Sequence, residues 1–199
     1  MPGVPHMLAP YLVTAPAARI VSRDEAKRQC QIEASDADFD DLLDLLILAA
    51  ETHLDGRDGV LGRALAPQTW AQQMASFPRK LRFALDPVRE VSAIKYFDGD
   101  DAPQTADVAD LYHLLRDARG SFLDLKASAE RPDVSDRPDA VTFEYSAGYD
   151  AIPAPIRQAA LFLVGHWFAN RETVTVGTTS SEVDMTTRAL LRPYLRSWA

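Results

Sequence analysis

His166 and Trp167 stand side by side in one of the most apolar stretches of the chain, SAGYDAIPAPIRQAALFLVGHWFANRE from Ser146 to Glu172. An imidazole is the side chain that changes charge nearest neutral pH, so it is the first candidate base. As a base it needs a nucleophile or carboxylate beside it. The nearest carboxylate in sequence is Glu172, beyond the i,i+4 reach of a helix. Packing is the simpler account: a histidine sharing an aromatic cluster with Phe162, Trp167 and Phe168.

Two other clusters hold groups that bind metals. Asp36, Asp38, Asp40, Asp41 and Asp44 run as DADFDDLLD, without the central Gly and terminal Glu of a calcium loop. Carboxylates at a helix start favour the helix dipole, which explains them without an ion. Glu51, His53, Asp55 and Asp58 follow in ETHLDGRDG. A two-His, one-carboxylate centre would need a second histidine from His6, His113 or His166, and no HExxH pairs them. A metal-dependent hydrolase using the Asp, Glu and His residues of 36–58 is the enzymatic alternative. DGDD at Asp98–Asp101 reads as a hairpin turn, with Gly99 supplying the positive φ. No GxSxG, P-loop, GxGxxG or CxxC occurs. Cys30 is the only cysteine, so neither an intrachain disulfide nor a thiolate zinc cluster can form. The reading assigns no catalytic residue, cofactor or metal.

The elements that position these residues come from a chain of 199 residues, 47% hydrophobic, which suits one sizeable domain or a domain with an extension. The net charge of -8 argues against a surface that coats DNA, because non-specific affinity comes from Lys and Arg neutralising phosphates. MPGVPHMLAP lacks a basic region followed by a long apolar run, so no signal peptide is expected. The apolar run Ala159–Gly165 is far too short to cross a membrane.

MPGVPHMLAPYLVTAP reads as an extended arm. Ser22 and Glu25 make a capping box that opens a helix over about 22–31. Ser35 with Asp38 is a weaker box, opening a helix to about 55 that Gly56 and Gly59 end. The middle of the chain alternates in short runs (APQTWAQQM, LRFAL, VREVSAIKYF, SFLDL, AVTFEY), as strands of a small antiparallel sheet or a set of hairpins do. Asp107–Gly120 fits a helical turn or a strand, and 126–140 a loop. Pro153 and Pro155 sit at the start of a helix over 154–170, apolar nearly all round and therefore central. Gly165 lets another element approach it. Near the end, Leu190, Leu191, Leu195 and Trp198 form an apolar stripe, with Arg188, Arg192 and Arg196 spaced four apart. These arginines suit docking onto DNA, a partner, or the acidic helix of a neighbouring subunit.

Four stretches in order carry a resemblance: SRDEAKRQC to ALAPQTW (Ser22–Trp70), LDPVREVSAIKYFDGDD, RPDAVTFEYSAGYDAIPAPIRQAALFLVGHWFANRE, and LLRPYLR. Together they resemble the head-tail connector, or adaptor, family of tailed bacteriophages, prophages and gene transfer agents. The resemblance covers roughly residues 18 to 196. It implies a virion neck protein, assembled in the bacterial cytoplasm. The implied assembly is a ring, commonly of twelve copies, between the portal and the next neck component, a stopper or tail terminator. DNA passes through such a ring without sequence-specific binding; a DNA-binding neck module is a further alternative. No membrane is involved.

The implied fold is α+β: mainly an α-helical bundle with a small antiparallel β part. The arm is 1–17 and the core 18–182, with helices about 22–31, 36–55 and 154–170 and a β-rich insertion about 67–145. A C-terminal segment, 183–199, extended or helical, docks on the portal. Its expected apolar anchors are Leu190, Leu191, Tyr194, Leu195 and Trp198, with Arg188, Arg192 and Arg196 as polar partners. Two departures stand out: residues 127–139 are longer than the usual loop, and SEVDMTTRAL lacks the proline that often precedes the last helix.

Overall fold

The structure, a computed structural model, describes residues 7–170 and 180–196, with the backbone alone over 180–184. In chain order the elements are β1 (Tyr11–Thr14), α1 (Arg23–Gln29), α2 (Asp40–Leu54), β2 (Gln68–Met74), β3 (Lys80–Arg82), β4 (Val88–Phe97) and β5 (Pro103–Ala106). Then come the single turn α3 (Val108–Leu111), β6 (Tyr112–Asp117), β7 (Gly120–Leu125), β8 (Val141–Ala147), α4 (Ala154–Ala169) and α5 (Ser180–Leu191), which ends in a 3-10 turn, Arg192–Tyr194. The fold is α+β and divides into two units. One joins the segment ending at Ala17 to Pro67–Gly148 and holds the strands; the other joins Ala18–Ala66 to the segment from Tyr149 and holds α1, α2, α4 and α5.

The strand unit holds two small antiparallel sheets. They run β1-β2-β8-β4-β5 and β3-β7-β6. The period-2 pattern of β8 sets the inner face: Val141, Phe143, Tyr145 and Ala147 are buried, and the residues between them half-buried. Phe77 and Tyr112 meet Phe143 edge-on, with centroids 6.5 and 5.9 Å away. Gln72 lies opposite Phe143, fully buried, and its amide is used at both ends. Its Oε1 accepts from the Ala84 N–H (3.0 Å) and its Nε2 donates to the Arg82 carbonyl (3.2 Å), which ties β2 to the chain leaving β3.

Asp107–Gly120 resolves into one helical turn followed by a strand. The Asp98–Asp101 turn differs from expectation in detail. The positive φ, 65°, falls on Asp101 and not on Gly99. Asp98 makes this possible, because its Oδ1 accepts from the N–H groups of Asp100 and Ala102, at 3.1 and 3.0 Å.

In the helical unit the capping box forms as drawn: Ser22 Oγ accepts from Glu25 N–H (3.3 Å) while Ser22 N–H donates to Glu25 Oε2 (2.8 Å). The weaker box at Ser35 does not form. Asp36 Oδ1 instead accepts from Asp38 N–H (2.9 Å), and the helix starts only at Asp40. α2 buries Leu43, Ile47, Ala50 and Leu54, a stripe at helical spacing, against Ile156, Ala159, Ala160 and Val164 of α4. Gly165 admits α1: a Cβ there would lie 3.3 Å from Gln29 Cγ. His166 stands apart from the aromatic cluster. It is half-buried, and its Nδ1 lies 3.2 Å from Asn170 Nδ2. Trp167 and Phe168 do pack on the core, edge-on to His53 and Phe39.

Candidate docking surface

α5 packs on α4, and this decides which residues of the C-terminal segment are available. Leu191 is 3% exposed within the helical core, and Leu190 and Tyr194 pack half-buried against it. Three expected partner anchors are therefore occupied inside the chain, because α5 turns its apolar stripe inward. The segment is also pinned through its backbone. Arg63 Nε donates to the Tyr194 carbonyl (2.6 Å), and Arg196 N–H donates to the Leu61 carbonyl (3.3 Å). Arg188, Arg192 and Leu195 remain exposed, Arg196 half-buried. Met185, not singled out in the sequence, is 70% exposed and lies one helical turn before Arg188. Trp198, His6 and Arg171 lie outside the described residues.

The acidic region builds structure. Arg23 bridges Asp40 (Nη1 to Oδ2, 2.8 Å) and Asp44 (Nε to Oδ1, 3.0 Å), joining α1 to α2. Lys27, almost fully buried, reaches Asp40 Oδ1 at 2.6 Å and also donates to the carbonyls of Ala34 (3.2 Å) and Asp36 (2.6 Å). The ammonium of Lys27, and then Arg23, hold the Asp40 carboxyl below the usual range. The Arg23 hydrogen bond does the same for Asp44, and Asp44 in turn raises the Arg23 guanidinium.

Glu51 accepts from Arg19 (2.9 Å) and from the Ile20 N–H (2.7 Å). Asp55 Oδ1 accepts from the Leu65 N–H at 2.6 Å, fixing the turn after α2. Among the described residues no group of three or more His, Cys, Asp and Glu side chains could hold a metal ion. A groove of about 680 Å³ in the strand unit, between β4 and β6, is lined by Arg89–Ala93, Thr105–Ala109, Tyr112 and Leu114. Its carboxylates are Glu90 and Asp107, of which Asp107 caps α3, and its Ser92 hydroxyl donates to the Glu144 carbonyl (3.1 Å).

The sequence reading missed two outward-facing leucines on α2, Leu45 and Leu48. The signal was present: both fall off the Leu43–Ile47–Ala50–Leu54 stripe when the helix is drawn as a wheel.

No protein-family model and no curated protein matches the chain. Solved structures do. A chain in the neck of an empty gene transfer agent particle, computed with C6 symmetry, superposes with a TM-score of 0.74 at 18% identity, covering 96% of this chain and 97% of that one. A chain in the virion of a native gene transfer agent particle gives 0.68 at 16% identity, with the same coverage. A chain in the neck of a native particle computed with C12 symmetry gives 0.68 at 15% identity, again over 96% and 97%. Across nearly its whole length, then, this chain has the fold of chains found in the necks and virions of gene transfer agent particles.

Proposed function

We propose that the chain is a structural head-tail adaptor: it assembles as a ring between a portal and the next neck or tail component and forms part of the DNA passage. The observation that carries this is the fold likeness to neck chains over 96% of the chain. The ring is a homo-oligomer of twelve copies, sited in the neck of a phage-like particle assembled in the cytoplasm, with a stopper or tail terminator downstream. DNA passes without sequence-specific contacts, in keeping with a net charge of -8.

The portal contact falls to the outward face of the C-terminal segment: Arg188, Arg192, Arg196 and Leu195, with Trp198 beyond the described residues. Guanidinium groups beside exposed apolar side chains suit docking onto a protein surface that carries carboxylates. Leu190, Leu191 and Tyr194 support that face from beneath.

Co-sedimentation with the portal tests this. Arg188→Glu/Arg192→Glu should lose portal attachment while remaining folded by circular dichroism. Normal attachment by the folded variant would overturn the portal placement. Negative-stain images showing only monomers with portal present would overturn the ring.

A further inference from the structure

α2 shows solvent an apolar stripe that its own core does not explain. Leu45 is 65% exposed and Leu48 49%, with Asp41 and Thr52 exposed above and below them. The stripe from Asp41 to Thr52 is about 16 Å long at helical rise. Its N-terminal end is strongly acidic: residues 33–44 carry six carboxylates and no cation. Asp40 and Asp44 are neutralised by Arg23 and Lys27, whereas Glu33, Asp36, Asp38 and Asp41 make no ion pair among the described residues.

A surface of matching character lies in the strand unit. The face of the β3-β7-β6 sheet that carries Phe122 and Leu115 holds Lys80 and Arg82 with Asp117 and Asp124, whereas Arg116 turns to Asp86 and Lys126 to the Ala109 carbonyl. Lys80 Nζ sits 3.9 Å over the Phe122 ring and the Arg82 guanidinium 5.2 Å from it. Leu115, exposed, stands opposite Phe122 in register on the same face. Arg79 and Arg119 are exposed at the two ends of this sheet and leave its edge positively charged, and six-residue strands span about 20 Å. The two surfaces therefore match in length, oppose in charge at their ends, and each sets exposed leucine among its charges.

We propose that α2 of one copy packs onto the β3-β7-β6 face of the next copy, and that this is the subunit contact of the ring. The inference rests on the adaptor reading above. Two different patches meeting head to tail form a heterologous contact, the kind that repeats around a closed ring. Leu45 and Leu48 of one copy cover Leu115 and the rim of Phe122 on its neighbour, and the free carboxylates face Lys80, Arg79 and Arg119. Duplex DNA is the other polyanion such a basic edge could take. It fits less well: Arg82 is already tied to Asp117 (2.9 and 2.7 Å), and phosphates have no use for an exposed leucine.

The test uses two full-length variants assembled with portal and sized by mass. One is Asp38→Lys/Asp41→Lys, the other Arg79→Glu/Arg119→Glu; all four sites are exposed. Each alone should assemble at least about tenfold more weakly than wild type, as like charges then face each other. Mixed in equal amounts they should restore the ring, because every contact in an alternating ring is again complementary. In the wild-type ring, carbodiimide coupling of isotopically heavy and light copies should join Lys80 to the carboxylates of residues 33–41 in heavy–light pairs.

Rings that form normally from either variant alone would overturn this contact and leave the adaptor reading standing. So would rescue obtained by reversing Arg188 and Arg192 in place of Arg79 and Arg119. Loss of duplex DNA binding by Arg79→Glu/Arg119→Glu with assembly intact would assign the face to DNA. Wild-type protein that never exceeds a monomer, even with portal, would overturn the adaptor reading itself.

Discussion

Gly165 and His166 are neighbours on α4 with opposite demands. The half-buried Gln29 of α1 would press against a Cβ on Gly165, its Cγ at 3.3 Å. The further atoms of Gly165→Leu must displace Gln29 or α1, an overpacking cost of about 1–3 kcal/mol. His166 is half-buried and touches Asn170, so His166→Phe should change stability by under about 0.5 kcal/mol. Urea unfolding of both variants decides it; a larger loss for His166→Phe than for Gly165→Leu would place His166 in the core after all. At this scale the sequence was legible where one residue's chemistry settles the matter. The capping box at Ser22 needs only Glu25 three positions on. The role of Lys27 could not be read the same way. Its three partners, Ala34, Asp36 and Asp40, come together only after α1 has ended and the chain has turned back, and a lysine in a polar run carries no mark of burial.

α5 shows how an element's periodicity can be right while its direction stays open. The spacing of Leu190, Leu191 and Tyr194 announces an amphipathic segment, and an apolar stripe serves a partner or the chain's own core equally well. The fold gives it to the core. Leu191→Ala should therefore cost about 2–5 kcal/mol and lower the Tm of the isolated protein, with no portal present. Deleting residues 186–199 should be worse still, which makes that truncation a poor probe of docking. An unchanged Tm for Leu191→Ala would return the stripe to the partner. α2 fails differently. Its helical spacing is legible in the sequence, but the helix starts at Asp40, four residues after the expected position, since Asp36 makes a local turn that competes with helix capping.

At the scale of the whole molecule, α+β was visible from the switch between period-2 and helical runs. The strand order β1-β2-β8-β4-β5 was not, because it pairs residues as distant as Gln68 and Ala147 and nothing local specifies such partners. The arm's conversion into β1, paired through Tyr11 and Leu12 to β2, is equally non-local. Charge behaves as a property of the whole chain too. Asp40, Asp44, Asp117 and Asp139 are held below the ordinary carboxylate range by Lys27, Arg23, Arg82 and Arg137 respectively. Backbone N–H groups contribute at Glu25, and Gln104 with the Ala102 N–H at Asp98. These groups release protons more readily in the folded chain than in the unfolded one. Their stabilisation is complete above the unfolded value, near pH 4, and is lost as pH falls through the lower folded values. Meanwhile, protonating unpaired acids first relieves the repulsion of a net charge of -8. The Tm, followed by circular dichroism, should thus hold level from pH 7 to about 4 and then drop steeply, with both units affected because both contain such pairs. High salt should blunt the drop, since these pairs sit where solvent ions reach them. A Tm already falling between pH 7 and 5 would instead move the origin of the acid sensitivity away from these paired carboxylates.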